Sequence, residues 1–183
     1  MLRSRIAAGL VALVLVGIVT AHAARAASTA QIDRDVDTAL ARMYDSVPNA
    51  KVLGAKAKAV LVFPSIVKAG FLFGAQYGEG GLRRQGRPAG YYNTVAASYG
   101  FQAGVQTFGY ALFLMSDAAV RQLDSSGGFE LGIGPSIVIL DAGTARALTT
   151  TTMQSDIYAV FFDQRGLMAG GGLQGSKITR MDP

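Results

Sequence analysis

The sequence has no cysteine, and its single histidine, His22, falls in a stretch that reads as a removable leader. Arg3 and Arg5 form a positive start, Ile6 to Thr20 an apolar run, and Ala24-Arg25-Ala26 a small-x-small cleavage site. Residues 1–26 are therefore expected to be a secretory signal, leaving 157 of the 183 residues in the working chain. The apolar run is shorter than the ~20 residues a spanning helix needs, and a second cleavage pattern, Ala21-His22-Ala23, follows it. Cleavage is expected over anchoring, and a periplasmic or secreted location with it. Lacking His and Cys, the mature chain has no imidazole acid–base catalyst, thiolate nucleophile, His/Cys metal site, disulfide or lipidated cysteine. No enzyme activity, cofactor or metal is expected.

Charge is also scarce. Removing the leader takes away three arginines and no acid, so 17 Lys+Arg against 12 Asp+Glu becomes 14 against 12, and the formal charge drops from +5 to +2. Nucleic-acid binding needs a dense basic face and is not expected. Glycine, by contrast, is abundant: 21 of the 157 mature residues, about twice the usual ~7%.

Ser28 and Gln31 have the spacing of a capping box, and Ile32, Val36, Ala39, Leu40, Met43 and Val47 follow at helical intervals. One amphipathic helix is expected over 29–46, ending before Pro48. Its polar face, Asp33, Arg34, Asp35, Asp37, Arg42 and Asp45, sums to −2, which favours packing on its own domain over lying in a membrane interface. From Lys58 onward, short runs rich in Val, Ile, Phe and Tyr alternate with glycines. Strands are expected at 59–63, 71–77, 91–97, 101–115, 129–140, 157–162 and 176–181, seven or eight in all, with a short helix at 117–123 capped by Ser116.

The pattern Gly-[Phe/Leu]-x-x-Gly occurs four times, at 70–74, 100–104, 128–132 and 166–170. Such glycines suit the bends of a curved sheet. The expected fold is therefore α+β and β-rich: a strongly curved, mostly antiparallel sheet or small barrel, with an N-terminal amphipathic helix and one short helix, in a single domain over 27–183.

Motifs suggestive of catalysis lack their context. Ser65-Ile66-Val67-Lys68 fits S-x-x-K, but strand text surrounds it and the companion motifs are missing, so a turn with an exposed Lys68 is expected. Residues 170–175 fit G-x-G-x-x-G, yet only eight residues follow, too few for a dinucleotide fold. Glu79 and Glu130 are the only glutamates, and nothing in the sequence brings them together as an acid–base pair. The basic residues form two groups. Lys51, Lys56, Lys58 and Lys68 surround the first strand, while Arg83, Arg84 and Arg87 occupy a glycine-rich turn; Arg165, Lys177 and Arg180 lie near the C-terminus.

Val62-Phe63-Pro64-Ser65-Ile66-Val67-Lys68-Ala69-Gly70-Phe71, Gly78-Glu79-Gly80, Ser98 to Gly104, Gly128-Phe129-Glu130-Leu131-Gly132, Arg165 to Gly170 and Gln174 to Ile178, taken in this order, resemble the SYLF-domain family. The resemblance spans roughly Ala30 to Arg180. It implies a lipid-binding domain: eukaryotic members bind phosphoinositides and associate with actin, and secreted bacterial members look like stand-alone copies. In the family, lipid binding is attributed to a basic N-terminal helix, whereas the helix here is net acidic. The expected function is therefore recognition of anionic, phosphoinositide-like headgroups by basic residues elsewhere. The candidates are Lys51, Lys56, Lys58, Lys68, Arg83, Arg84, Arg87 and Lys177. Anionic membrane lipids are the expected partners. The alternative is a non-catalytic envelope adaptor that binds another protein through a strand edge or apolar patch.

Overall fold

The computed structural model describes residues 28–47, 49–70, 73–99, 104–125, 129–130, 137–140, 154–167 and 176–182. The expected signal segment and the 170–175 glycine motif lie outside them. The described chain is α+β. Helices α1 (Thr29–Ser46) and α2 (Ala50–Lys56) precede strands β1 (Ala59–Gly70), β2 (Phe73–Arg84), β3 (Arg87–Tyr99) and β4 (Gly104–Leu114). Helix α3 (Asp117–Leu123) and strands β5 (Phe129–Glu130), β6 (Ile137–Leu140), β7 (Ile157–Leu167) and β8 (Lys177–Met181) follow.

The eight strands form one sheet in the order β5-β8-β3-β2-β1-β4-β7-β6, antiparallel except for the β6–β7 pair. Its edges, β5 and β6, are separated in sequence by only six residues, 131–136. Laid flat, the eight strands would hold their edges about 34 Å apart, yet the chain from Glu130 to Ile137 reaches at most about 25 Å. The sheet is therefore strongly curved, and β5 and β6 do not pair to close it. The expected single strand over 129–140 is corrected: its two ends form opposite edges.

Both expected helices take their expected bounds for the expected reason. The Ser28 hydroxyl accepts the Gln31 amide at 3.2 Å, and the Ser116 hydroxyl accepts the Ala119 amide at 3.2 Å. Ile32, Val36, Ala39 and Met43 form the buried stripe of α1, packed on Val60, Val62, Ala111, Phe113, Val160 and Phe162 of the outer sheet face. Ala119, Val120 and Leu123 of α3 pack into the core on the inner face with Leu61, Phe63, Tyr110 and Leu112. Covered on both faces, Ala59–Phe63 is apolar without alternation. Helix α2 was not expected: it is as short as α3 but has no side-chain cap at its start, where Ser116 caps α3. Asn49 leads into it in the left-handed region, at φ 63°.

A register shift in β1 between Val62 and Val67 explains Gly78-Glu79-Gly80 on the facing strand. A Cβ at Gly80 would sit 2.2 Å from the Val62 carbonyl oxygen, and one at Gly78 2.7 Å from that of Ser65. The bulged backbone of β1 fills the space where side chains of β2 would stand.

Candidate functional site

The expected basic residues separate into three environments. Arg83 is not in a turn; it is the penultimate residue of β2 and only 3% exposed. Its guanidinium lies 2.9 Å from the Asp33 carboxylate and donates to Asp37 at 2.9 and 3.1 Å and to the Asp33 carbonyl at 3.1 Å. It fastens α1 to the sheet and, being almost wholly buried and paired, contributes to the wall of the recess described below and not to the exposed basic surface. Lys68 is likewise corrected. It lies inside β1, 5% exposed, on the inner face opposite Gln76 and Gln106 in register. Period-two parity was the available signal, since Lys68 shares a face with Ile66.

Five of the remaining six gather at one end of the sheet. Lys51 and Lys56 lie on α2, Lys58 just before β1, and Arg84 and Arg87 flank the two-residue hairpin Gln85-Gly86; all five are exposed. Gln85 and Gly86 both have positive φ, 51° and 76°, as a tight hairpin of this kind requires. Lys51, Gln85 and Gly86 line a single recess of about 450 Å³ whose apolar side is built by Leu40, Tyr44 and Val60. Burial in part pushes the Tyr44 phenol above its ordinary value, so it stays a neutral hydroxyl there. Lys51 also lies 3.5 Å from Asp45, an exposed pair that holds neither group firmly.

Lys177 is elsewhere, exposed on β8 and paired in register with Val95 toward the opposite end. Composition gave no hint of that end's surface. Phe73, Tyr77, Val67, Val95 and Val105 are all exposed there. Glu79 accepts a 2.7 Å hydrogen bond from the Tyr77 hydroxyl, whose pKa is pushed up to about 12, by burial first and by this carboxylate second.

Among the described residues no group of His, Cys, Asp and Glu is placed to hold a metal ion, and no helix is long and apolar enough to cross a membrane. Residues 95–182 match the family model described as Ysc84, Las17-binding protein actin regulator. No curated protein matches the chain.

Proposed function

Residues 95–182 of this chain belong to the Ysc84 (SYLF) family, and on that premise we propose that the domain binds anionic phospholipid headgroups at a membrane surface. The observation that carries this reading is that Lys51, Lys56, Lys58, Arg84 and Arg87 all lie exposed at one end of the sheet, Lys51 lining the recess there. With so little net charge, only such a local concentration of cations attracts a headgroup layer. Each Lys or Arg near an anionic surface contributes about 1 kcal/mol. The ligand class is phosphate-bearing: phosphoinositide-like in chemistry and, in the periplasmic or secreted setting the leader suggests, phosphatidylglycerol, cardiolipin or lipopolysaccharide phosphates.

An adaptor that pairs its sheet edge with another protein has less support, because the described edges, β5 and β6, are only two and four residues long. The family is described by Las17 binding and actin regulation, which supports a binding role.

Sedimentation with phosphatidylglycerol vesicles and with phosphatidylcholine vesicles, at low and high salt, tests the reading. Binding at the basic end should favour the anionic vesicles and weaken as salt rises. Reversing three charges, Lys56→Glu, Lys58→Glu and Arg87→Glu, should weaken binding by about a hundredfold or more. Unchanged affinity in that triple variant would refute the assignment.

A further inference from the structure

Along the length of its strands the sheet inverts its polarity. Near the basic end, α1 covers the outer face and both faces are apolar. Toward the opposite end, the buried inner face carries Lys68, Gln76, Thr94 and Ser176, with Gln76 donating to the Ser176 hydroxyl at 2.8 Å and Tyr110 to Thr94 at 3.1 Å. The outer face there is apolar and exposed: Phe73 at 71%, Val105 at 58%, with Val67, Tyr77 and Val95 near half.

Register orders this surface into rows. One row crosses seven strands as Glu130, Lys177, Val95, Tyr77, Val67, Thr107 and Arg165, because each is paired with the next. Paired residues share a face, so the exposed cations Lys177 and Arg165 flank an apolar centre, with Glu130 on the edge strand beyond Lys177. The next row outward is Ala97, Ala75, Ala69, Val105 and Leu167, with no charge in it. Phe73 lies one row further, about 13 Å beyond the cations. Gly70 is paired with both Gly74 and Gly104 at this end, so the first two glycine repeats meet here. A Cβ on Gly70 would fall 2.6 Å from the Gly74 Cα.

We infer that this glycine-rich end is a second lipid-facing surface, which enters a bilayer with Phe73 leading among the described residues and stops at the Lys177–Arg165 row, so that one molecule joins two membranes. Apolar outside and polar inside is the order a sheet adopts against lipid. Burial as far as the alanine row, about 7 Å behind Phe73, suits the 5–10 Å depth of interfacial elements and leaves Tyr77 and the two cations at headgroup level. The two cations, on β8 and β7, attract anionic headgroups on either side of the apolar centre. Helix α1 stands beside the patch on the same face, which leaves the end of the sheet, and not a broad flat face, as the part that meets a partner. The basic end lies at the other end of the twelve-residue strands β1 and β2, about 40 Å away, so the two ends reach different bilayers.

The bridging half of this inference rests on the headgroup reading, and the experiment keeps the two apart. Dense phosphatidylglycerol vesicles are pelleted with the protein and with light fluorescent vesicles of the same lipid, for wild type, for Phe73→Asp with Val105→Asp, and for the basic-end triple variant. Both Asp sites are exposed, and unchanged circular dichroism confirms the fold. Wild type should carry light vesicles into the pellet. The double Asp variant should keep salt-sensitive binding to dense vesicles while light-vesicle capture falls at least tenfold, and the triple variant should keep only the weaker, less salt-sensitive binding of the apolar end, without capture. Wild type that binds but captures nothing, or a double Asp variant that captures normally, overturns the inference and leaves the headgroup reading standing. Sedimentation velocity without lipid should show a monomer; a dimer that dissociates on Phe73→Asp would assign the patch to a second copy and overturn it too.

Discussion

The Arg83 guanidinium and the Asp33 carboxylate meet at 2.9 Å across the junction of β2 and α1, yet this contact is an ion pair without hydrogen-bond alignment, since Arg83 Nη1 and Asp33 Oδ1 each lack a hydrogen-bonded partner. Alignment goes instead to Asp37 and to the Asp33 carbonyl. Asp33 also accepts the Tyr91 hydroxyl at 2.9 Å. The net acidic face of α1 thus has a tertiary cause: two of its acids neutralise a cation that β2 buries.

Removing one member of a buried pair is more damaging than removing both. In Arg83→Leu the acids can rehydrate, because Asp37 is 68% exposed, so a loss of about 2 kcal/mol is expected. Asp33→Asn with Asp37→Asn strands the buried guanidinium and should cost more, about 3–4 kcal/mol. Urea unfolding of the two variants checks the order, and the reverse order would contradict the assignment.

The Ser28 cap gives a smaller, local effect. Ser28→Ala removes the acceptor of the Gln31 amide and should destabilise by about 1 kcal/mol. At this chain length that is a fall of roughly 2–4 °C in melting temperature. Ser28→Asp should restore it.

Gly80→Ala should be worse than its size suggests. The added methyl meets a backbone carbonyl, which cannot rotate away as a side chain can. A loss of about 1–3 kcal/mol is expected. Gly86→Asn offers the contrast: nothing lies within 4 Å of its Cβ position and asparagine tolerates the φ of 76°, so calorimetry should find little change.

Alkaline pH should loosen the domain through its tyrosines. Burial, aided by the Glu79 carboxylate, raises Tyr77 to about 12; burial, with the Asp124 carboxylate, raises Tyr92, and burial alone raises Tyr110. The folded state holds these protons more tightly than the unfolded chain, so their contribution is fully present below about pH 10 and is lost as pH rises through the folded values. Denaturant midpoints should stay level to about pH 9.5 and fall above pH 10, and tyrosinate absorbance from these residues should appear together with unfolding.

Where local chemistry was decisive, the sequence was legible. The Ser28 and Ser116 caps, the stripe from Ile32 to Met43 and the β-branched runs placed two helices to the residue and most strands within a few positions. The candidate site was legible only in part. Six of the eight basic candidates are exposed, and five of them converge, but Arg83 and Lys68 are buried. Whether a cation on a strand faces water depends on what covers that face, and α1 reaches Arg83 from 46 residues away in sequence.

By itself the sequence determined the chemical inventory: no thiol, a single imidazole at His22, and glycines spaced for a curved sheet. It also determined the elements whose signals lie within a few residues of one another. Tertiary structure alone decided that residues 129–140 divide between opposite edges and that Lys177 and Arg165 fall in one row across the sheet. It likewise decided that apolar side chains face outward beside a polar interior. Strand pairing carries no local signature, because register is set by long-range backbone hydrogen bonds and by the face each strand buries.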